Sequence, residues 1–126
     1  MSPASRSVRA MYRVLIVEDE YLVASYISMI LEDLGYELVG PVPTIPEAMA
    51  AIANEKLDAV LLDANLGGVS SGPIAAELSA RGLPFVVVTG YGDLELSSAA
   101  LQSAPRVKKP FTPTDLGPTL AKALAP

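Results

Sequence analysis

Asp63 ends the apolar run Ala59-Val60-Leu61-Leu62, and three other polar groups elsewhere in the chain are suited to surround it. The acids Glu18-Asp19-Glu20 follow Val14-Leu15-Ile16-Val17, Thr89 follows Phe85-Val86-Val87-Val88, and Lys109 lies between Arg106-Val107-Lys108 and Pro110-Phe111. If these runs are parallel strands, all four groups reach the same C-terminal edge of one sheet. A carboxylate beside hard-oxygen metal ligands, a hydroxyl and an ammonium suits phosphoryl acceptance. Cations there offset the charge on the phosphoryl oxygens during in-line attack.

Carboxylates packed within a few ångströms repel one another, which raises at least one pKa unless a cation intervenes. Mg²⁺ fits such a pocket, because it takes carboxylate and carbonyl oxygens, retains waters and bridges to phosphate. The expected arrangement has Asp19 binding directly, Glu18 through water, Asp63 as both ligand and phosphoacceptor, and the backbone carbonyl of Asn65 completing the protein ligands. A plainer alternative makes Asp19 or Glu20 the cap of the following helix and Asp63 the holder of a turn. Lys109 is preferred to Lys108 as the site lysine, since strand alternation separates the two side chains and Lys109 directly precedes proline. A cis Lys109-Pro110 bond would direct the strand end toward the crevice. Gly90 leaves backbone room beside Thr89, and Tyr91 is placed to screen a phosphoryl group from water or to move with it as a switch.

The elements that must position these groups can be read from periodicity. Residues 13 to 17 form a first strand, and Leu22, Ile27, Ile30, Leu31 and Leu34 lie at helical spacing before Gly35 supplies a stop. A short strand over residues 37 to 39 leads to a Pro-rich turn, where Thr44-Ile45-Pro46-Glu47 has the form of a capping box for a helix through Asn54. Residues 59 to 62 form the third strand and residues 65 to 70 a Gly-rich loop; a helix carrying Ile74, Ala75 and Leu78 ends at Gly82. A strand over residues 85 to 88, a helix capped by Asp93 and reaching about Leu101, a brief strand over residues 106 to 108, and a last helix from Thr112 or Thr114 follow. This alternation predicts an α/β doubly wound five-stranded parallel sheet of flavodoxin-like order 2-1-3-4-5, with helices on both faces. Ligands in such sheets bind at the switch point between strands 1 and 3, which Glu18-Asp19 and Asp63 end.

Composition narrows the chemistry. At 126 residues the chain is read as one folded domain over residues 13 to 125, preceded by a flexible arm over residues 1 to 12. Cysteine and histidine are both absent, so there is no thiolate, disulfide or imidazole, and any chemistry runs on carboxylates, hydroxyls and amines. No apolar stretch approaches the ~20 residues of a membrane span and no signal peptide precedes the first strand, so a soluble, cytoplasmic protein without membrane insertion is expected. Net charge is −5, and the arm contributes Arg6 and Arg9 without an acid, so the folded part is more negative still. Such a surface repels nucleic acid.

Val17-Glu18-Asp19-Glu20, Leu62-Asp63-Ala64-Asn65-Leu66, Val88-Thr89-Gly90-Tyr91 and Lys108-Lys109-Pro110-Phe111 together resemble the motifs of CheY-like receiver domains of two-component response regulators, over about residues 13 to 125. The resemblance implies Mg²⁺-dependent phosphorylation of Asp63 by a histidine kinase or phosphotransfer protein, with Thr89 and Lys109 reading out the acyl phosphate. It implies a phosphorelay component rather than an enzyme, supporting only its own phosphoryl transfer and slow autodephosphorylation. Most receivers carry an aromatic residue three positions before the site lysine, where this chain has Arg106. Phe85, Thr89, Gly90 and Tyr91 resemble instead a subgroup with a Phe-x-x-x-Thr-Gly-Tyr pattern, often single-domain regulators. Because the chain ends at Pro126 without an output domain, signalling is expected through contacts with a downstream protein, on the face of the fourth helix, fifth strand and fifth helix around Leu94 to Leu101 and Leu116 to Leu124, with most of those leucines taken up by core packing.

Three other functions are weighed. A flavodoxin-type FMN carrier needs a first loop that cradles phosphate, and Glu18-Asp19-Glu20 would repel it. A Mg²⁺-dependent Asp-x-Asp phosphohydrolase would need an acid where Asn65 stands, and asparagine is no general acid–base. A degenerate receiver, acting unphosphorylated as a docking module, is the alternative that Arg106 suggests.

Overall fold

The computed structural model describes residues 12–90 and 98–125. Their elements, in order, are β1 (Arg13–Val17), α1 (Tyr21–Asp33), β2 (Glu37–Val42), α2 (Ile45–Asn54), β3 (Ala59–Asp63), β4 (Asn65–Leu66), β5 (Val69–Ser70), α3 (Gly72–Arg81), β6 (Phe85–Thr89), α4 (Ala99–Ser103), β7 (Arg106–Lys108) and α5 (Pro113–Leu124). The main sheet has the order β2-β1-β3-β6-β7, with all its pairs parallel. With the two-residue hairpin strands left out, this is the flavodoxin-like order 2-1-3-4-5 that the sequence predicts.

Parallel strands covered on both faces become continuous apolar runs, and successive side chains divide between the two sides. Val14, Ile16, Leu61, Val86 and Val88 pack with Ile27, Ile30 and Leu31 of α1 and with Leu116 and Leu120 of α5. Leu15, Val17, Val60, Leu62 and Val87 pack on the other side with Ile52 of α2, with Ile74 and Leu78 of α3, and with Leu101 of α4. Each fully buried aliphatic side chain contributes about 1.5–3 kcal/mol. Tyr12, at the junction with the arm, is half-buried against the α1 and α5 side, and its carbonyl accepts the Glu37 N–H at 2.9 Å.

Several boundaries differ from expectation for local reasons. β2 continues past Val39 to Val42, because this edge strand absorbs Gly40-Pro41 as a bulge opposite β1. Proline is tolerated on an edge, where its missing N–H costs no ladder bond. The Gly-rich loop is a tight antiparallel hairpin, Asn65↔Ser70 and Leu66↔Val69, closed by Gly67 at φ 61° and Gly68 at φ 90°. Two consecutive positive φ values are what a two-residue hairpin turn of this twist requires. The described part of α4 runs from Ala99 to Ser103, two residues past the expected end at Leu101; its expected start at Asp93 lies outside the described residues. The N-cap of α2 is as predicted: the Thr44 hydroxyl accepts the Glu47 N–H at 3.3 Å and lies 2.9 Å from the Glu47 carboxylate. α5 starts at Pro113, with the Thr112 N–H donating to Asp115 Oδ2 at 2.8 Å.

Candidate functional site

Strand register assembles the site. Val17 pairs with Leu62, so Glu18 and Asp63 emerge side by side from β1 and β3. Asp63 pairs with Val88 and Thr89 with Lys108, which brings the ends of β6 and β7 to the same edge. Backbone bonds fix the exits: Glu18 N–H donates to the Val42 carbonyl at 3.0 Å, Ala64 N–H to Val88 at 2.9 Å, and Lys109 N–H to Thr89 at 2.7 Å.

The Lys109 ammonium stands at the centre of the acids. Its Nζ lies 3.0 Å from Asp63 Oδ2, 3.3 Å from Glu18 Oε1 and 3.4 Å from Glu20 Oε1. Glu18 and Asp63 are each only 3% exposed. Carboxylate oxygens of Glu18, Glu20 and Asp63 all lie within 4.8 Å of one another. Asp63 Oδ1 accepts the Asn65 N–H at 3.0 Å, and Glu18 Oε2 accepts the Glu20 N–H at 3.0 Å. Glu18 Oε1, although buried and near the ammonium, receives no hydrogen bond. The 3.3 Å approach of Lys109 is therefore a charge contact without good hydrogen-bond alignment. A cleft lined by Asp19, Glu20, Asp63, Asn65 and Gly67 lies beside these acids. Three carboxylates this close together, one of them with a buried oxygen that lacks a donor, fit a hard cation.

Burial and the neighbouring charges move Glu18 and Lys109 away from their ordinary pKa values. Burial, reinforced by the neighbouring Asp63 carboxylate, pushes Glu18 from 4.5 up to about 8. Burial draws the Lys109 pKa down, but the hydrogen bond to Asp63 and the charges of Asp63 and Glu18 outweigh it and raise the pKa above its ordinary value. The folded state thus holds a proton on Glu18 that the unfolded chain releases near 4.5. Stability of the metal-free protein should then fall as pH rises from about 4.5 to about 8, through the proton held by Glu18. The raised Lys109 pKa acts only at alkaline pH, outside this window. Urea melts in EDTA are expected to give a lower midpoint at about pH 8.5 than at about pH 6, a difference that Glu18→Gln removes. An equal midpoint at both pH values in the wild type would contradict the crowded, buried Glu18.

Of the residues singled out from sequence, Glu18, Asp63 and Lys109 meet directly, and Thr89 is 6% exposed at the end of β6. Asp19 lines the same cleft but is exposed and outside the tight acidic group, its Oδ2 lying 3.6 Å from where a Cβ on Gly67 would sit. Glu20, not chosen as a site residue on sequence, takes the third place. It occupies the N-cap position of α1 without making a side-chain cap bond, and turns to Lys109 instead. The alternative in which Asp63 holds a turn is also realised, through Asn65, together with the Lys109 contact. The Asn65 side chain accepts the Gly68 N–H at 2.6 Å. Gly90 borders the cleft, Lys108 is exposed, and the Lys109-Pro110 bond is cis. Tyr91 lies outside the described residues. Arg106 is exposed and donates to the Gln102 carbonyl of α4 at 2.8 Å. Leu101, Leu116 and Leu120 are fully buried, as core packing predicts for most leucines of the α4 and α5 face, whereas Leu22, at helical spacing with Ile27, Ile30 and Leu31, is exposed together with Tyr21 and Met29 of α1.

Comparison with known proteins agrees with this geometry. The chain matches the response regulator receiver domain over residues 14–121. It is 30% identical over 114 residues to the phyllosphere-induced regulator PhyR of Methylorubrum extorquens, covering 88% of this chain and 43% of PhyR. It spans about half the length of the curated relatives it matches. The solution structure of SdrG from Sphingomonas melonis superposes with a TM-score of 0.79 at 39% identity, over 92% of this chain and 98% of SdrG. The receiver domain of a Pseudomonas aeruginosa sensor histidine kinase, solved with a magnesium ion coordinated in its active-site cleft, superposes with a TM-score of 0.76 at 25% identity, over 90% and 97% of the two chains. With the motifs in place at one sheet edge and the family matched along most of its length, the chain belongs to the receiver domains of two-component response regulators.

Proposed function

We propose that this receiver accepts a phosphoryl group on Asp63 from a phosphohistidine of a histidine kinase or phosphotransfer protein, in a Mg²⁺-dependent reaction, and signals through protein contacts. The observation that carries this is the buried Asp63 carboxylate 3.0 Å from the Lys109 ammonium in an acidic cleft. A carboxylate oxygen of Asp63 forms the new O–P bond as the P–N bond of the donor breaks, and the leaving imidazole takes a proton from solvent. Lys109 neutralises one phosphoryl oxygen and the Thr89 hydroxyl donates to another. Glu18, Asp19, Asp63 and the Asn65 carbonyl are the proposed holders of Mg²⁺, with Glu20 as a further acid at the rim. A bound Mg²⁺ supplies positive charge at the phosphoryl oxygens. Asn65 offers no general acid–base, so the acyl phosphate is released slowly rather than turned over, and the protein is not an enzyme in its own right.

The proposed setting is the cytoplasm, without nucleic-acid binding by this domain. Among the described residues no helix is long and apolar enough to cross a membrane. The donor is proposed to dock over α1, where Tyr21 is 80% and Leu22 79% exposed beside a cleft lined by Tyr26, Pro110 and Phe111. Gly90, Tyr91, Thr89 and Pro110 are the proposed switch, in keeping with the Phe-x-x-x-Thr-Gly-Tyr subgroup. The relative SdrG has been solved in a BeF3-activated conformation, which supports activation of this chain at the acceptor carboxylate. Phosphotransfer profiling tests the proposal: a labelled histidine kinase should pass its phosphoryl group to the wild type and not to Asp63→Ala. Failure of every candidate kinase and of small acyl-phosphate donors alike would leave the degenerate docking module as the better account.

A further inference from the structure

We infer that Gly40 is a positioning residue for the acidic pocket, because it closes the β2 bulge that carries the Val42 carbonyl to the Glu18 amide. From Leu15↔Val39 to Val17↔Val42 the partner strand advances one residue more than β1 does. That extra residue keeps Val39 and Val42 both packed on the α2 and α3 side of the sheet, which strict alternation would forbid for positions three apart. It also delivers the Val42 carbonyl to Glu18 N–H at 3.0 Å, immediately before the acidic run. Pro41 and Pro43, on either side of Val42, line one groove together with Glu18 and Asp19.

Only glycine closes this bulge. Gly40 has φ +83°, and a Cβ there would lie 2.9 Å from Val42 N and 3.0 Å from the Ile16 carbonyl oxygen. Both are backbone atoms, one in each strand, so no side-chain rotation relieves the clash. Relief requires Val42 to move relative to Ile16, and the Val42 carbonyl that anchors Glu18 N–H moves with it. Beyond Glu18 N–H, the geometry continues through the Glu20 N–H bond to Glu18 Oε2, so a shift at Val42 reaches the carboxylate that Lys109 and Asp63 face.

This inference rests on the proposed Mg²⁺ pocket, and the test separates the two. Mg²⁺ binding to the whole chain is measured by calorimetry for the wild type, Gly40→Ala and Gly82→Ala. Gly82 also has positive φ, +67°, but open space around it, and it lies at the end of α3 away from the pocket. Both alanines lower Tm, whereas only Gly40→Ala should raise the Mg²⁺ Kd, by about ten-fold or more, as loss of a ligand-orienting partner does. Equal Kd values for a folded Gly40→Ala and the wild type, or an equal rise in Gly82→Ala, overturn the role of Gly40 and leave the pocket intact. A wild type that binds no Mg²⁺ overturns both. If Gly40→Ala does not fold, hydrogen exchange on the wild type decides: Glu18 N–H should be protected like its β1 neighbours, and a freely exchanging amide refutes the anchor.

Discussion

Asp63→Ala is expected to reduce phosphoryl acceptance to background and to weaken Mg²⁺ binding in the same protein. The nucleophile is lost outright, and no other carboxylate in the pocket is an equivalent substitute: burial favours the protonated form of Glu18, and Asp19 and Glu20 are exposed. Removal of the Asp63 charge also removes one of the influences that raise the Glu18 pKa. The pH dependence of metal-free stability should therefore shrink alongside the loss of phosphorylation. Single-turnover transfer from an acyl-phosphate donor, with urea melts at two pH values, reads both effects. Retained phosphorylation in Asp63→Ala would assign the acceptor elsewhere.

Lys109→Met is expected to slow phosphoryl transfer by about 10²- to 10³-fold, the loss typical of one charge-stabilising donor at a transition state. Methionine keeps much of the apolar stem while removing the ammonium. Without it, Glu18, Glu20 and Asp63 face one another unneutralised. Breaking a fully buried pair costs roughly 3–5 kcal/mol, and the 20% exposure of Lys109 reduces that to about 2–3 kcal/mol. The loss should be largest above about pH 8, where Glu18 is ionised, and smaller below it, where Glu18 is protonated. Mg²⁺ should restore most of it by replacing the missing positive charge. Unaltered stability in EDTA at about pH 9 would show that the ammonium does not hold the acids together.

The sheet edge was legible because strands buried on both faces leave uninterrupted apolar runs, whose ends are marked by the first polar residue. Asp63, Thr89 and Glu18 stand at such ends, and parallel register does the rest. The division of labour among Glu18, Asp19 and Glu20 was not legible. Consecutive acids look alike in sequence, and what separates them is which side chain the strand end buries and which one Lys109 can reach. The sequence pattern ends β2 too early because Gly40-Pro41 looks like a turn, whereas on an edge strand it is a bulge with ladder pairing on both sides. Gly67-Gly68 looks like plain loop for a similar reason: the hairpin depends on two positive φ values that flanking strands of two residues hardly advertise. The leucines of α4 and α5 belong largely to the core, as expected, whereas Leu22 shares the helical spacing of Ile27, Ile30 and Leu31 and yet lies outside the buried stripe, because spacing alone does not mark where that stripe ends.

Intact-mass measurement of the wild-type chain after incubation with Mg²⁺ and a small acyl-phosphate donor tests the central claim most directly. The expected result is a gain of one phosphoryl group that depends on Mg²⁺, is lost under mild alkali as an acyl phosphate is, and maps to the peptide containing Asp63. An unchanged mass with saturating Mg²⁺ and donor, or a gain that maps to a peptide without Asp63, would contradict it.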